Sequence, residues 1–158
     1  MIKKILMVCM GNICRSPMAL AVARQLASDA GRSTEFEFDS AGTHAHHIGE
    51  EADPRAKAIL SSHHYKPSNS RARRVAKADF ERFDLILAMD RINFASLQRA
   101  CPAQYRDKLH LLLEFAPELE LDSMPDPYFG HADGFERVLD LCEAGVKGML
   151  RSELVQTL

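Results

Sequence analysis

The chain has 158 residues with a formal net charge of −2, and 46% of them are hydrophobic. This profile is typical of a soluble globular protein and excludes a disordered chain. The near-neutral charge argues against a general nucleic-acid binder. No apolar run approaches the ~18 residues of a membrane span, and four cysteines are too few for a disulfide scaffold. We therefore expect one cytoplasmic domain over residues 1–158, with free thiols.

Four short, mainly apolar runs predict strands, and the first is continuously apolar, as expected for a parallel strand that is buried on both faces. They lie at residues 5–8, 36–38, 84–89 and 109–113. The first run follows two lysines, but it is too short for the core of a secretion signal, and a Gly-Asn pair interrupts it. We therefore interpret it as the first strand.

Apolar residues at helical spacing predict helices between and after these strands. They cover residues 19–30, 54–60, 90–102 and 133–150. Gly31 is expected to end the first helix, and Asp53 and Asp90 are expected to cap the second and third. Asp133 and Glu136 have the spacing of a capping box at the start of the last helix.

The alternation of strands and helices predicts a single α/β domain: an open four-stranded parallel sheet with helices on both faces. Ligands of such folds bind beyond the carboxyl ends of the strands, where the strand order reverses. The loop after the first strand is therefore the first place to look for a site.

That loop, residues 9–17, reads CMGNICRSP. Pro17 suits the first position of a helix, so the loop amides and the helix N-terminus can converge on an anion. Gly11 and Asn12 tolerate the left-handed backbone that a loop needs to curl around a phosphate. Arg15 can bind two oxygens of a tetrahedral oxyanion at once. The sequence thus predicts an anion-binding loop.

Cys9 lies where the positive field of this loop favours a thiolate nucleophile. Ser16 can donate its hydroxyl to the same sulfur. The spacing Cys-x5-Arg is weak evidence alone, and its position at a strand–loop–helix junction gives it weight. Attack on phosphorus also needs an acid for the leaving oxygen. Asp126, followed by Pro127 and Tyr128, lies in a loop expected at the same edge of the sheet.

Together these motifs resemble the low-molecular-weight protein tyrosine phosphatase family across essentially the whole chain. Shorter matching segments lie at residues 39–42, 53–55, 72–73 and 89–90. The resemblance implies hydrolysis of phosphotyrosine and aryl phosphate monoesters through a phosphocysteine intermediate, without metal or cofactor. It makes Cys9 the nucleophile, Arg15 the phosphate clamp and Asp126 the general acid, with Ser16 assisting the thiolate.

The resemblance also implies the rest of the site. Substrate binding would fall to Met10, Gly11, Asn12, Ile13, Cys14, His46 and Tyr128. Ser40, hydrogen-bonded to Asn12, and Asp90 would support the loop. Phosphotyrosine-containing proteins, a tyrosine kinase among them, are the expected partners.

The sequence departs from the family pattern at three positions. His46 stands where an aromatic residue often borders the substrate entrance, which bears on substrate preference. Ser70 replaces a histidine that supports the loop in many relatives, and Phe129 replaces a second tyrosine.

A metal site is a further hypothesis, because three histidines lie close together at His44, His46 and His47. A polar loop is favoured over a metal site, because no acidic or thiol partner is evident. The basic run at residues 71–77 either forms a solvated face or favours the binding of acidic phosphopeptides.

The remaining thiols leave alternatives open. In the family, the counterpart of Cys14 can form a reversible disulfide with the nucleophile and protect it, and a small packed loop residue is the equal alternative. Cys142 lies on the apolar stripe of the last helix and is expected in the core. Cys101 has no suggested role.

Two other functions share this fold or this loop chemistry. A thiol-dependent arsenate reductase needs a relay of further cysteines, but residues 79–100 contain none. A phosphocysteine-carrying transport subunit needs neither an acid at Asp126 nor a clamp at Arg15. The sequence therefore favours the phosphatase.

Overall fold

The computed structural model describes residues 1–158, apart from the side chain of residue 132. Four parallel strands form one sheet in the spatial order β2-β1-β3-β4. The strands are β1 (Lys3–Cys9), β2 (Phe36–Gly42), β3 (Leu85–Ala88) and β4 (Leu109–Leu111). The predicted open four-stranded parallel sheet is confirmed.

Six α-helices surround the sheet. They are α1 (Arg15–Asp29), α2 (Pro54–Ser62), α3 (Lys77–Arg82), α4 (Arg91–Ala100), α5 (Ala132–Arg151) and α6 (Glu153–Gln156). Short 3₁₀ turns lie at Ser33–Glu35, Ala103–Lys108, Leu112–Phe115 and Pro117–Leu119. Among the described residues, no helix has both the length and the apolar character needed to cross a membrane.

The two faces of the sheet bury separate apolar clusters. Ile5 and Met7 of β1 pack with residues of α1, α2 and α5 on one face. Leu6 and Val8 point to the other face, where they pack with residues of α3 and α4, such as Leu97. Successive side chains of a strand alternate between faces, so a continuously apolar strand needs helices on both sides. The predicted two-sided cover is confirmed.

Helix ends follow the predicted signals in three cases. Gly31 has a φ of +71°, and its N–H bonds to Ser28 O at 2.9 Å while the next N–H bonds back to Ala27 O at 2.8 Å. This is a Schellman ending, which a left-handed glycine favours. Asp53 and Asp90 accept N–H groups at the starts of α2 and α4 at 2.8 and 2.7 Å. These carboxylates therefore cap their helices as predicted.

The capping box predicted for the last helix is wrong. α5 begins at Ala132, so Asp133 lies inside its first turn, and the N-cap residue is His131, whose side chain forms no cap bond. Glu136 Oε1 instead lies 2.8 Å from His63 Nε2, in a contact that joins α5 to the end of α2. The spacing matched a cap, but the true start of the helix lies upstream of it.

Some other boundaries and one helix differ from prediction. The fourth strand ends at Leu111, because the carboxylate of Glu114 accepts the Leu111 N–H at 3.3 Å and the chain turns into a 3₁₀ helix. The first helix starts at Arg15, which places Pro17 in its third position rather than its first. α3, which begins at Lys77 at the end of the basic run, was not predicted as a helix.

The strand order leaves a crevice at the carboxyl edge of the sheet. From β1 the chain crosses to β2 on one side, whereas β3 continues to β4 on the other. The loops after β1 and β3 therefore diverge, and such a switch point is where open parallel sheets bind ligands. Cys9 ends β1 and Asp90 follows β3 at this point.

Candidate active site

The loop between β1 and α1 is buried and bonded to itself. Cys9 is 2% exposed, and its Sγ accepts the N–H of Asn12 at 3.3 Å. The hydroxyl oxygen of Ser16 lies 3.0 Å from the same sulfur. α1 begins at Arg15, so the N–H groups of its first turn have no intrahelical partner. The sulfur of Cys9 therefore lies among hydrogen-bond donors at the positive end of a helix.

Asn12 holds the curvature of this loop. Its φ is +59°, a left-handed conformation that asparagine adopts more readily than most residues. Its side-chain amide donates to Ser16 Oγ at 2.8 Å and to Ser40 Oγ at 2.9 Å. Its Oδ1 accepts the backbone N–H of Arg73 at 3.0 Å. The expected contact with Ser40 is present, and two contacts that the sequence did not suggest accompany it.

The end of β2 lies directly against the loop. A Cβ atom at Gly42 would stand 2.6 Å from the carbonyl oxygen of Met10, so no larger residue fits there without a shift. Just beyond it, the N–H of Thr43 bonds to Cys9 O at 2.9 Å and that of His44 to Met10 O at 3.0 Å. Backbone contacts thus hold the loop on the side of β2.

Arg15 is almost fully enclosed, with 1% exposure. Its Nη1 donates to Asp90 Oδ2 at 2.6 Å and to Met124 O at 3.0 Å, and its Nη2 lies 3.4 Å from Asp126 Oδ2. Burial opposes the charge, but Cys9, Asp90 and Asp126 outweigh it and raise the pKa of Arg15. Asp90 uses its other oxygen to cap α4, so one carboxylate fixes both a helix and the guanidinium.

Asp126 lies on the other side of the crevice, before α5. Its Oδ1 accepts the N–H of Tyr128 at 3.1 Å, which closes a tight turn around Pro127. Its side chain is 39% exposed and faces Arg15 through Oδ2. The structure therefore brings Asp126 to the anion-binding loop, although it and Arg15 are 111 positions apart in the chain.

Arg55 joins the two loops, and it was not among the predicted site residues. Its guanidinium forms a bidentate pair with Asp53, with N···O distances of 3.0 and 2.9 Å, and donates to Tyr128 O at 3.0 Å. It also lies over the rings of Phe135 and Tyr128, 4.7 and 5.5 Å from their centroids. The N–H of Asp53 bonds to Ile13 O at 2.8 Å. This chain of contacts links the anion-binding loop to the loop of Asp126.

A pocket of about 250 Å³ opens above Cys9. The predicted residues that line it are Cys9, Met10, Gly11, Ile13, Cys14, Arg15, His46, Asp126 and Tyr128. Asn12 and Ser16 lie behind this lining, bonded to each other. His47 and Phe129 also line the pocket, and the sequence had not assigned either to substrate binding.

The histidines form part of the pocket wall. The ring of His47 lies 5.7 Å from that of Tyr128, and its Nδ1 is 2.5 Å from Glu50 Oε2. His46 stacks on His44 at a centroid distance of 5.7 Å. Within the described part of the chain, no group of three or more His, Cys, Asp or Glu side chains could hold a metal ion. The imidazole rings of His46 and His47 therefore lie in the pocket wall with the rings of Tyr128 and Phe129.

Ser70 lies outside the loop network. Its hydroxyl is exposed and 2.7 Å from that of Ser68. The N–H of Arg73 reaches Asn12 instead, and the Arg73 guanidinium bonds to Asp79 at 2.9 Å and to Asp39 at 3.2 Å. A backbone group therefore supports the loop from this segment.

All four cysteines are free and buried. Cys14 is the N-cap residue of α1 and lines the pocket. Burial raises the pKa of its thiol, and the negative charges of Asp53, Cys9 and Asp126 add to this effect. Cys142 lies in the core as expected, 3.9 Å from the sulfur of Met124. Cys101 belongs to the smaller apolar cluster.

The fold and the site define a class: α/β proteins that carry a thiol in an anion-binding loop, with a carboxylate facing it. Residues 4–157 match the family model described as low molecular weight phosphotyrosine protein phosphatase. The chain belongs to this family.

Named relatives support this assignment. A low molecular weight protein-tyrosine-phosphatase of Streptomyces coelicolor is 44% identical, with 93% of this chain and 91% of that protein covered. The human low molecular weight phosphotyrosine protein phosphatase is 39% identical, and the match covers 89% of each chain.

Solved structures agree. A protein tyrosine phosphatase of Entamoeba histolytica, crystallised with Hepes in its active site, matches with a TM-score of 0.94 and 36% identity over 99% of both chains. A Drosophila arginine phosphatase matches with a TM-score of 0.87 and 30% identity, covering 95% of this chain and 99% of that one.

Proposed function

We propose that this chain hydrolyses phosphotyrosine and related aryl phosphate monoesters through a phosphocysteine intermediate. The observation that carries this proposal is the meeting of Cys9, Arg15 and Asp126 in one pocket. Cys9 supplies a nucleophile at the base, Arg15 a buried cation, and Asp126 a carboxyl group within 3.4 Å of that cation. These are the three groups that transfer of a phosphoryl group from an ester to a thiolate requires.

In the first step, the Cys9 thiolate attacks phosphorus as the bond from phosphorus to the phenolic oxygen breaks. Asp126, in its protonated form, gives its proton to the departing oxygen, so tyrosine leaves as the neutral phenol. Arg15 and the loop amides bind the equatorial oxygens, where negative charge is concentrated during transfer. Because Asn12 and Gly42 fix the loop before substrate arrives, little reorganisation is needed at this moment.

In the second step, water attacks the phosphocysteine. Asp126, now ionised, accepts a proton from that water, and inorganic phosphate forms as the sulfur departs as a thiolate. Ser16 Oγ, 3.0 Å from the sulfur, donates a hydrogen bond to the departing anion. The enzyme returns to its starting protonation state, which accounts for every proton in the cycle.

The pocket walls support an aryl substrate. Ile13, His46, His47, Tyr128 and Phe129 line the opening above the loop. Aromatic and aliphatic walls favour a planar phenyl ring between them. Phosphotyrosine places such a ring between its phosphate and its main chain.

One set of assays tests this proposal. We expect metal-free hydrolysis of p-nitrophenyl phosphate and of a phosphotyrosine peptide, and loss of both in Cys9→Ser. Retained turnover in that variant would contradict the mechanism. Parallel assays use arsenate with a thiol reductant, and phosphoarginine because one structural relative is named an arginine phosphatase. Preferred turnover of either compound would replace the proposed substrate class.

We further propose that the partners are phosphotyrosine-containing proteins, a tyrosine kinase among them, in the cytoplasm. Four free cysteines support a reducing compartment. Cys9→Ser and Asp126→Ala, added to extract of the source cells, should retain phosphotyrosine proteins that wild type releases. Elution with vanadate, a phosphate analogue, distinguishes capture in the pocket from capture elsewhere.

We also propose that Cys14 protects Cys9 from irreversible oxidation. It lines the same pocket as Cys9 in the same loop. After peroxide converts Cys9 to a sulfenic acid, the Cys14 thiolate would attack that sulfur and displace hydroxide, giving a disulfide and, after protonation, water. A thiol reductant then restores both cysteines.

A further inference from the structure

A second depression lies beside the active-site pocket and has a strongly basic rim. It has a volume of about 430 Å³ and lies between the segment after β2, the segment of α3, and the last turns of α4. Its basic side chains are His44, Arg74, Lys77 and Arg99. Phe80 and Leu97, both buried, form its apolar floor. We call this depression the basic groove.

The permanent charges of the basic groove lack counterions. Among the described side chains, none of Arg74, Lys77 and Arg99 forms an ion pair, and Arg99 bonds only to the hydroxyl of Ser96, at 3.3 Å. Neighbouring Arg73, by contrast, is paired with two carboxylates. Three like charges around one depression repel each other and raise the local concentration of anions. The groove therefore has the charge of an anion-binding surface.

The carboxylates closest in sequence do not neutralise it. Asp79, on α3, is buried and already bonded to Arg73. Glu81 lines a separate cleft that shares Lys77 with the groove. No Asp or Glu is among the described residues that line the groove. An incoming anion would therefore meet only positive or neutral groups.

The groove and the active-site pocket share a wall. The segment from Thr43 to His46 forms it, and the first two of its N–H groups bond to carbonyl oxygens of the loop that carries Cys9. His44 lines the groove, His46 lines the pocket, and their rings stack at 5.7 Å. A chain whose phosphotyrosine occupies the pocket would therefore pass close to the basic groove.

We propose that the basic groove binds an acidic segment of the polypeptide that carries the phosphotyrosine. This proposal rests on the proposed function, since it describes the substrate of that same pocket. Glutamate and aspartate side chains would face Arg74, Lys77 and Arg99, while Thr43 and Ser96 donate hydroxyl hydrogen bonds. Their contribution is electrostatic, so it should act mainly on association and on KM, and salt should weaken it.

The test compares two phosphotyrosine peptides, one with three glutamates on each side and one with three glutamines on each side. We expect wild type to have the higher kcat/KM on the glutamate peptide. In R74Q/R99Q this preference should fall about five-fold, because exposed charge pairs are individually weak. Arg151→Gln, an exposed arginine on the last turn of α5, is the matched control and should keep the full preference. Added salt should reduce the preference of wild type and leave that of the double variant nearly unchanged.

Hydrolysis of p-nitrophenyl phosphate, which has no flanking chain, should be the same in all three proteins. An unchanged glutamate preference in R74Q/R99Q would overturn the proposal, and so would an equal loss on both peptides. If wild type failed to hydrolyse p-nitrophenyl phosphate, the proposed function would fall separately. Fluorescence anisotropy with a labelled unphosphorylated glutamate peptide would still test the groove, and equal affinity of wild type and double variant would overturn it.

Discussion

The two loops that meet at the pocket are held in place in different ways. The loop from Cys9 to Ser16 is mostly buried, and its polar side chains bond to one another and to the adjoining end of β2. The loop from Asp126 to Phe129 is exposed at both ends, and Phe129 is 93% exposed. Its described side-chain contacts with other parts of the chain come mainly through Arg15 and Arg55.

This difference matches the chemistry proposed for each loop. Charge on the transferring phosphoryl group needs donors that are already in place, which a rigid, internally bonded loop provides. A general acid must reach different oxygens in two steps and must exchange a proton with solvent, so partial exposure suits it. We therefore expect damage to the first loop to affect every substrate, and damage to the second to depend on the leaving group.

Asp126→Ala gives the largest expected effect among variants that keep the nucleophile. On phosphotyrosine, whose phenol is a poor leaving group, kcat should fall by ~10²–10⁴. On an activated ester such as p-nitrophenyl phosphate the fall should be smaller, because that leaving group needs less protonation. Steady-state kinetics on both esters measures the difference. Equal losses of kcat/KM, which reports the first step alone, would mean that Asp126 positions the phosphate and does not act as an acid.

Asn12→Ala should break the first loop. It removes three side-chain hydrogen bonds and places alanine at a φ of +59°. We expect stability to fall by about 2–3 kcal/mol and kcat to fall by about 10–100-fold on all esters alike. Thermal unfolding and the same two-ester kinetics measure this. Asn12→Gly is the matched control, since glycine tolerates that backbone but cannot make the bonds.

If the hydrogen bonds shape the loop, Asn12→Gly should recover part of the stability and little of the rate. Full recovery of the rate would show that backbone conformation alone accounts for the role of Asn12.

The first loop could be predicted from the sequence because its parts are contiguous. A glycine and an asparagine in a row, an arginine after them and an apolar strand before them all lie within residues 5–15, so local rules apply. The alternating apolar runs likewise predicted the sheet and its helices. The predicted start of α5 was wrong, because Asp133 and Glu136 have the spacing of a capping box but both lie inside the helix.

The second loop could be predicted only in part. Asp126 and Tyr128 were found by chemistry and by resemblance, but Arg55 was not, because nothing in its local sequence shows that it reaches Tyr128 O. Its partners lie far along the chain, and a side-chain contact of that kind depends on how the loops pack. The basic run at residues 71–77 suggested a preference for acidic phosphopeptides, but the basic groove itself could not be predicted, because it brings together residues from 43 to 100.

Arg55→Met tests how the second loop is held. Methionine keeps much of the aliphatic stem but loses the pairing with Asp53 and the bond to Tyr128 O. We expect kcat on phosphotyrosine to fall by about 3–10-fold, and by less on p-nitrophenyl phosphate, because the misplaced group is the acid. Arg55→Lys retains the charge but not the bidentate geometry, so it should lie between the two. A loss of kcat/KM that is equal on both esters would show that Arg55 acts through the first loop instead.

Cys14→Ser should have the smallest effect, and it should act only after oxidation. Because burial raises the pKa of Cys14, its thiol is almost wholly protonated near neutral pH and does not compete with Cys9 for substrate. We therefore expect kcat to stay within about two-fold of wild type. After a peroxide pulse and treatment with dithiothreitol, the variant should regain less activity than wild type, since its Cys9 sulfenic acid can oxidise further.

The raised pKa of Cys14 also predicts how the protection of Cys9 changes with pH. A larger fraction of Cys14 becomes the reactive thiolate as pH rises. The rate of disulfide formation should therefore increase relative to the rate of further oxidation of Cys9. The gap in recovered activity between wild type and Cys14→Ser should thus widen from pH 7 to pH 9. Equal recovery in both proteins across that range would show that Cys14 is a packing residue of the loop, in which case the rigidity of the first loop serves phosphate binding alone.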